Sequence, residues 1–320
     1  MMRLTLVLAC LLPVTLSPAS GAGEALRPRI TGLSHVALWV ADLEKSRDFY
    51  KAYLGFDEPY TLRNADGSVA LTWIKVNDRQ SVELFPLGGR TPADGDSLYH
   101  VALETDDAQA MLRYLSARGV RGPEGKPLPA TAGKGRIGNL NFFAEDPDHH
   151  TVEFVQYLPD GWTLANAGKF LPPRRVAARM SHAGITVANL SRSLAFYRDI
   201  LGMKETWRGS GDGVTLSWVN ERLPEGSDYI ELMLVKARPA LDELHILHHI
   251  CLEVADVSAA GALLGGRALP AGCKPMSAAR TGRNHKRQVN CYDPDGTRVE
   301  IMEPSTVDGL PAPSSAAPAP

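Results

Sequence analysis

Four histidines and four glutamates recur in this chain at matched places: His35 with Glu83, His100 with Glu153, His182 with Glu231, and His249 with Glu300. Between the two halves the separations are 182 − 35 = 147, 231 − 83 = 148, 249 − 100 = 149 and 300 − 153 = 147. Every one of the glutamates lies in an apolar, strand-like setting: Val82-Glu83-Leu84-Phe85, Val152-Glu153-Phe154-Val155, Ile230-Glu231-Leu232-Met233 and Val299-Glu300-Ile301-Met302. A carboxylate withdrawn from water and left unpaired is costly. A divalent cation shared between two carboxylates and two imidazoles removes that cost. Such a mixed nitrogen and oxygen donor set suits Zn, Ni, Fe, Mn or Co rather than Ca. One histidine on an apolar strand is ordinarily a core residue, but four matched pairs in equivalent units are not explained that way.

The elements that must position these residues repeat with them. Ser34 to Leu43 alternates as a strand, with Val36, Leu38 and Val40 on one face and His35, Ala37 and Trp39 on the other. Asp42 is placed to cap a helix from about Leu43 to Leu54, and Gly55 follows its end. The turn Asn64-Ala65-Asp66-Gly67 leads to strands around Val69 to Val76 and Val82 to Leu87. A second unit begins with the strand Leu98 to Glu104 and continues through a helix near Ala108 to Arg118 and a Gly-, Pro- and Lys-rich loop from Gly122 to Gly138. It closes with the strand Leu140 to Phe143, the turn Asp146-Pro147-Asp148-His149-His150 and the strand Val152 to Val155. Ser181-His182 to Leu190, Phe196-Tyr197 and Leu201-Gly202 restart the programme in the second half. A repeat this long points to duplicated domains rather than a solenoid. The expected division is residues 30–157 and 180–303, joined by a linker over 158–179. A Pro/Ala/Ser tail at 304–320 is expected to bury too little apolar surface to order itself.

The remaining composition narrows the function classes. A net charge of −2 and a pI near 6.5 give no reason to expect nucleic acid or an anionic membrane as partner. Met1-Met2-Arg3 followed by the apolar run Leu4 to Leu16, with small residues before residue 22, reads as a signal peptide over 1–22. It is too short to span a bilayer, no later segment reads as transmembrane, and the mature protein is expected in a periplasm or outside the cell. Cys251, Cys273 and Cys291 remain once Cys10 is removed, an odd number without a C-x-x-C pair, so a disulfide framework is not indicated. Cys251 and Cys291 read as buried small hydrophobes. His149, His150, His245 and His248 are expected in surface or packing roles, with the His149-His150 turn solvated.

The motif S-H-x-x-x-x-V-x-[DN]-L-x-x-S-x-x-F-Y, the L-G after the helix and D-P-D-x-x-x-V-E resemble the vicinal oxygen chelate superfamily. That superfamily includes glyoxalase I, methylmalonyl-CoA epimerase, extradiol dioxygenases and bleomycin-binding proteins. The resemblance implies an α+β fold of four βαβββ modules, paired into two glyoxalase-like domains whose sheets curl round a metal. It implies His35, Glu83, His100 and Glu153 as ligands of one site and His182, Glu231, His249 and Glu300 as ligands of the other. Pairing of modules across the halves would regroup the same eight residues, and the sequence leaves that open. A His/Glu/His/Glu set looks most like glyoxalase I, where a substrate is held through adjacent oxygens and a glutamate takes a proton beside a carbonyl. Glu153 and Glu300 are the first candidates for that base, with Glu83 and Glu231 close behind. Lys134, Arg136, Arg283 and Lys286 lie where an anionic small-molecule substrate could be held. The alternatives are an Fe(II) extradiol-type dioxygenase and a non-catalytic binding protein of the bleomycin-resistance type. Against the dioxygenase, the place of the acid/base tyrosine is taken by Phe143 and Asn290. His285 is a candidate substitute in the second half, and Gly138 stands at its place in the first.

Overall fold

The computed structural model describes residues 26–89 and 95–320; the expected signal peptide and Cys10 lie outside the described residues. The first half forms β1 (Ile30–Val40), α1 (Leu43–Arg47), β2 (Asp57–Arg63), β3 (Val69–Lys75), β4 (Ser81–Pro86), β5 (Leu98–Thr105), α2 (Ala108–Ala117), β6 (Gly133–Lys134), β7 (Leu140–Glu145) and β8 (Thr151–Gln156). After α3 (Trp162–Ala165) the second half follows as β9 (Arg179–Val187), α4 (Leu190–Leu194), β10 (Lys204–Gly209), β11 (Trp218–Arg222), β12 (Tyr229–Leu234), α5 (Leu241–Leu247), β13 (His249–Glu253), α6 (Val257–Gly265), β14 (Arg280–Thr281), β15 (Lys286–Tyr292) and β16 (Arg298–Thr306).

Each half is one eight-stranded sheet, in the orders β2-β3-β4-β1-β5-β8-β7-β6 and β10-β11-β12-β9-β13-β16-β15-β14. Two four-stranded modules therefore meet in each sheet through their first strands, β1 against β5 and β9 against β13, both antiparallel. This fixes pairing within halves. The fold is the expected α+β arrangement of four modules in two domains.

The helices α1, α2, α4 and α6 pack on the face opposite the histidines, while α3 borders the cavity of the first half. Asp42 accepts from the Glu44 and Lys45 amides and starts α1, and Asn189 does the same for α4 through the Arg192 amide. Where the sequence predicts one helix from Leu43 to Leu54, the chain instead passes from α1 into a π-helical turn over Asp48–Tyr53, and Ala195–Ile200 repeats this after α4. Both segments then turn at a left-handed glycine, Gly55 (φ +86°) and Gly202 (φ +75°). Val36, Leu38, Phe49, Tyr50 and Leu54 are buried, and their core is continuous with Ile185, Phe196 and Tyr197 of the second half.

A reciprocal clasp joins the halves. The Tyr50 hydroxyl donates to Asp293 Oδ2 (3.2 Å) and the Tyr197 hydroxyl to Asp146 Oδ2 (2.8 Å). The Ala41 amide donates to Asp295 Oδ1 (3.2 Å) and the Ala188 amide to Asp148 Oδ1 (2.9 Å). The D-P-D turn of each half thus receives the helix and strand end of the other.

Three expectations change. The tail does not stand free: Trp207 Nε1 donates to the Pro313 carbonyl (2.8 Å), the Ser315 amide to Arg208 O (3.0 Å) and the Leu216 amide to Pro318 O (2.8 Å). Its low apolar content is offset by hydrogen bonds to the backbone and Trp207 side chain of β10 and to Leu216 beyond it. β16 itself runs to Thr306, past the expected boundary at 303. His150 is not free in solvent; its part-buried ring pairs with Asp146 Oδ2 (2.9 Å) and meets the His248 ring edge-on at the junction between halves. Cys251 and Cys291 are buried free thiols, as expected. Among the described residues no helix is long and apolar enough to cross a membrane.

Candidate metal centres

Strand register alone brings the eight residues into two groups. Residues directly opposite one another in a ladder share a face, as do residues two apart along a strand. Ala37 lies between Glu83 on β4 and His100 on β5, while Ala102 lies between His35 on β1 and Glu153 on β8. The four side chains therefore rise from one face around two small residues. In the second half Gly184 lies between Glu231 and His249, and Cys251 between His182 and Glu300. Gly184 has a steric reason to be glycine, since a Cβ there would overlap the His249 ring.

The reactive atoms converge. His35 Nε2, His100 Nε2 and Glu153 Oε2 stand 3.0 Å from one another, and Glu83 Oε1 lies 3.5 Å from His35 Nε2. In the second group His182 Nε2 is 3.1 Å from His249 Nε2 and 3.3 Å from Glu300 Oε2, and Glu231 Oε2 is 3.4 Å from His249 Nε2. All eight side chains are buried. On bonds of about 2.1 Å, ligands at right angles stand roughly 3.0 Å apart and ligands at tetrahedral angles roughly 3.4 Å. The His35/His100/Glu153 and His182/His249/Glu300 triads match a single divalent transition ion, while Glu83 and Glu231 each stand beside one histidine at the edge of their triad and must turn inward to join it. His35, His100 and Glu153, and likewise His182, His249 and Glu300, form the tightest triads.

Two further residues act on the site, and no motif marked them. Asn141 Nδ2 donates to Glu153 Oε1 (2.7 Å), and Gln288 Nε2 donates to Glu300 Oε1. Each amide takes the outer carboxylate oxygen and leaves the inner one for the centre. Their separation, 288 − 141 = 147, is the repeat offset, but Asn in one half and Gln in the other hide the pairing. Among the described residues no side-chain amide clamps Glu83 or Glu231; Glu83 accepts from the Trp73 indole instead.

The electrostatics follow from burial. Burial disfavours a charged His35, yet Glu83 and Glu153 outweigh it and raise its pKa above 6.5. Burial also pushes Glu83 above the usual carboxylate range, against the pull of His35 and His100. Glu153 is held well below that range despite its burial, by His35 and His100. In the second half burial again works against ionisation, but His182 and Arg298 hold Glu300 low, and His249 and His182 hold Glu231 low. His249 itself is lowered, by burial first and then by Arg298.

Each centre opens into a cavity. The first, of about 890 Å³, is walled near the ligands by Trp39, Trp73, Phe85, Tyr99 and Phe143, and Arg136 lines it farther out. The second, of about 860 Å³, is lined by Arg280, Arg283, His285, Arg298 and the tail residues Ser314 and Ser315. Arg283 is bonded to Gly211 O (2.7 Å), and His285 turns to Asp308 on an exposed loop. Lys134 faces Asp160 at 4.0 Å on the surface, and Lys286 is not among the lining residues.

A sequence profile described as "Glyoxalase/Bleomycin resistance protein/Dioxygenase superfamily" matches the chain twice, over residues 32–154 and 179–301. The chain is similar to mitochondrial methylmalonyl-CoA epimerase of Bos taurus, 30% identical over 129 residues, covering 36% of this chain and 73% of that protein. It is also similar to lactoylglutathione lyase of Neisseria meningitidis, 30% identical over 129 residues, covering 39% of this chain and 89% of that one. Among solved structures, the Mn(II)-bound glyoxalase from Novosphingobium aromaticivorans superposes with a TM-score of 0.62 at 18% identity, over 90% of this chain and 85% of that one. An extradiol ring-cleaving dioxygenase from B. fuscum superposes with a TM-score of 0.64 at 19% identity, over 92% and 77%.

Proposed function

The chain belongs to the Glyoxalase/Bleomycin resistance protein/Dioxygenase superfamily, and on that footing we propose that it is a metal-dependent enzyme of the lyase or isomerase type. Its reaction withdraws a proton beside a carbonyl of a small substrate held through two adjacent oxygens. The observation that carries this reading is a fourth buried carboxylate beside each triad, Glu83 3.5 Å from His35 Nε2 and Glu231 3.4 Å from His249 Nε2, which a three-ligand dioxygenase centre does not need. The epimerase and lyase likenesses agree with it. The Met1-Met2-Arg3 leader and the apolar run after it support an exported protein.

His35, Glu83, His100 and Glu153 would hold one divalent ion, and His182, Glu231, His249 and Glu300 the other. Such an ion supplies Lewis acidity at the substrate oxygens. The chain supplies the rest. Asn141 and Gln288 fix Glu153 and Glu300 as oriented ligands, so Glu83 and Glu231 are the carboxylates best able to swing and take up the proton. The aromatic wall of the first cavity keeps water from the carbanionic centre. Glu153 and Glu300, the first candidates for the base, serve here as anchors.

The experiment is hydrogen–deuterium exchange at the carbon beside the carbonyl in a panel of 2-hydroxyketones, followed by NMR with Mn(II)-loaded protein. The double variant Glu83→Gln/Glu231→Gln is expected to lose exchange by about 10²-fold or more while still binding Mn(II). Undiminished exchange in that variant would overturn the assignment. The compact His/His/Glu triads keep a dioxygenase as second reading. Oxygen uptake with catechols would support it, although Phe143 and Asn290 leave the acid/base position without a titrating side chain.

A further inference from the structure

The two halves share a frame but not a lining. Around the first centre, Phe85 meets Trp39 and Tyr99 edge-on, Trp39 lies tilted on Tyr99, and Phe85, Tyr99 and Phe143 each meet the His100 ring edge-on. At the corresponding places the second half carries Thr186, Met233, His248 and Asn290. Trp73, opposite Glu83 in the ladder, is answered by Asn220 opposite Glu231. Asn220 and Asn290 are 6% and 4% exposed, and each has an amide atom with no hydrogen-bond partner beside the ligand glutamates. Which end of each amide is left unpaired is a matter of its orientation, but either end calls for a polar ligand.

Charge separates the halves as well. Thr151 of the first half is replaced by Arg298, whose Nη2 lies 2.8 Å from His249 Nδ1. That nitrogen is also 2.8 Å from the Leu247 carbonyl, to which it must donate when Nε2 is a ligand. It cannot donate to Leu247 and accept from Arg298 at once. Arg298 Nε is buried without a partner, and the side chain lines the cavity with Arg280 and Arg283. Two carboxylates neutralise a divalent ion in the first centre; in the second the guanidinium leaves one positive charge over.

We propose that the centres take different substrate classes. The first takes an aromatic or apolar chelator that carries no carboxylate, and the second a 2-oxo- or 2-hydroxycarboxylate whose carboxylate meets Arg298. This rests on the metal-dependent reading above.

The test uses full-length Mn(II)-loaded protein with one centre disabled at a time, by His100→Ala or by His249→Ala. Binding of oxalate and of catechol, the latter without oxygen, is measured by titration calorimetry and by the Mn(II) spin-resonance spectrum. The protein that retains the second centre is expected to bind oxalate at least about tenfold more tightly than the protein that retains the first, the scale of one charge-assisted hydrogen bond. Catechol is expected to show the reverse order. Arg298→Thr is expected to lose the oxalate preference while keeping its Mn(II). Equal affinities of the two centres, or an unchanged preference in Arg298→Thr, would overturn the inference alone. Absence of Mn(II) from both centres would overturn the metal reading and this inference with it.

Discussion

At the scale of single residues, Asn141 and Gln288 decide which glutamates are fixed. Each satisfies one oxygen of a buried carboxylate, and such outer partners typically tune metal affinity by about 10–100-fold. Asn141→Leu is therefore expected to weaken binding at the first centre by about that factor, read by competition with a chromophoric chelator. An unchanged affinity would contradict the anchoring role of Glu153. The pH dependence of the metal-free protein follows from the same atoms. His35 and Glu83 are both raised in the folded state, so their stabilising contribution is present at low pH. It is lost as pH rises through their ordinary values, 4.5 for Glu83 and 6.5 for His35, and beyond. Glu153 is lowered, so its contribution is lost only as pH falls below 4.5. With chelator present, the melting temperature is expected to fall between pH 6 and 8, with the raised Asp293 adding to the fall; saturating Mn(II) is expected to shrink it, because the ion replaces the protons of His35 and Glu83 but not that of Asp293. A fall of equal size with Mn(II) would show that the ion does not sit among these groups. The converging histidines and glutamates were legible in the sequence because charge inside an apolar strand is rare enough to stand out. The amide clamps and Arg298 were not, because uncharged amides and a strand-end arginine are ordinary surface residues until register places them.

At the scale of elements, the strands were legible through alternation and the helix starts through Asp42 and Asn189. The π-helical turns were not, since a shift from i−4 to i−5 bonding leaves no compositional trace. The D-P-D turns carry a second duty that their sequence does not announce. Asp146 and Asp293 each accept from a tyrosine of the other half, and burial with Asp295 nearby pushes Asp293 up to about 7. Tyr50→Phe and Tyr197→Phe are each expected to lower the unfolding free energy by about 1–3 kcal/mol, because each leaves a buried acceptor short of a donor. Urea unfolding monitored by tryptophan fluorescence reads this directly, and unchanged midpoints would mean that the clasp does not contribute to joining the halves. Disorder of the tail was the natural expectation from composition, but Trp207 and the edge of β10 supply partners that composition cannot reveal.

At the scale of the whole molecule, duplication explains both the likeness of the centres and their divergence. Two domains built on one plan retain all eight histidines and glutamates, because register around Ala37, Ala102, Gly184 and Cys251 leaves little freedom in where those side chains point. The cavity walls are under no such constraint, and they differ in aromaticity and charge. The central claim is that each half holds its own ion. The most direct measurement is elemental analysis of purified protein after loading and desalting, run on the wild type, His100→Ala and His249→Ala. The expected result is two ions per chain in the wild type and one in each variant. No ion in the wild type, or loss of both ions on either single substitution, would contradict it.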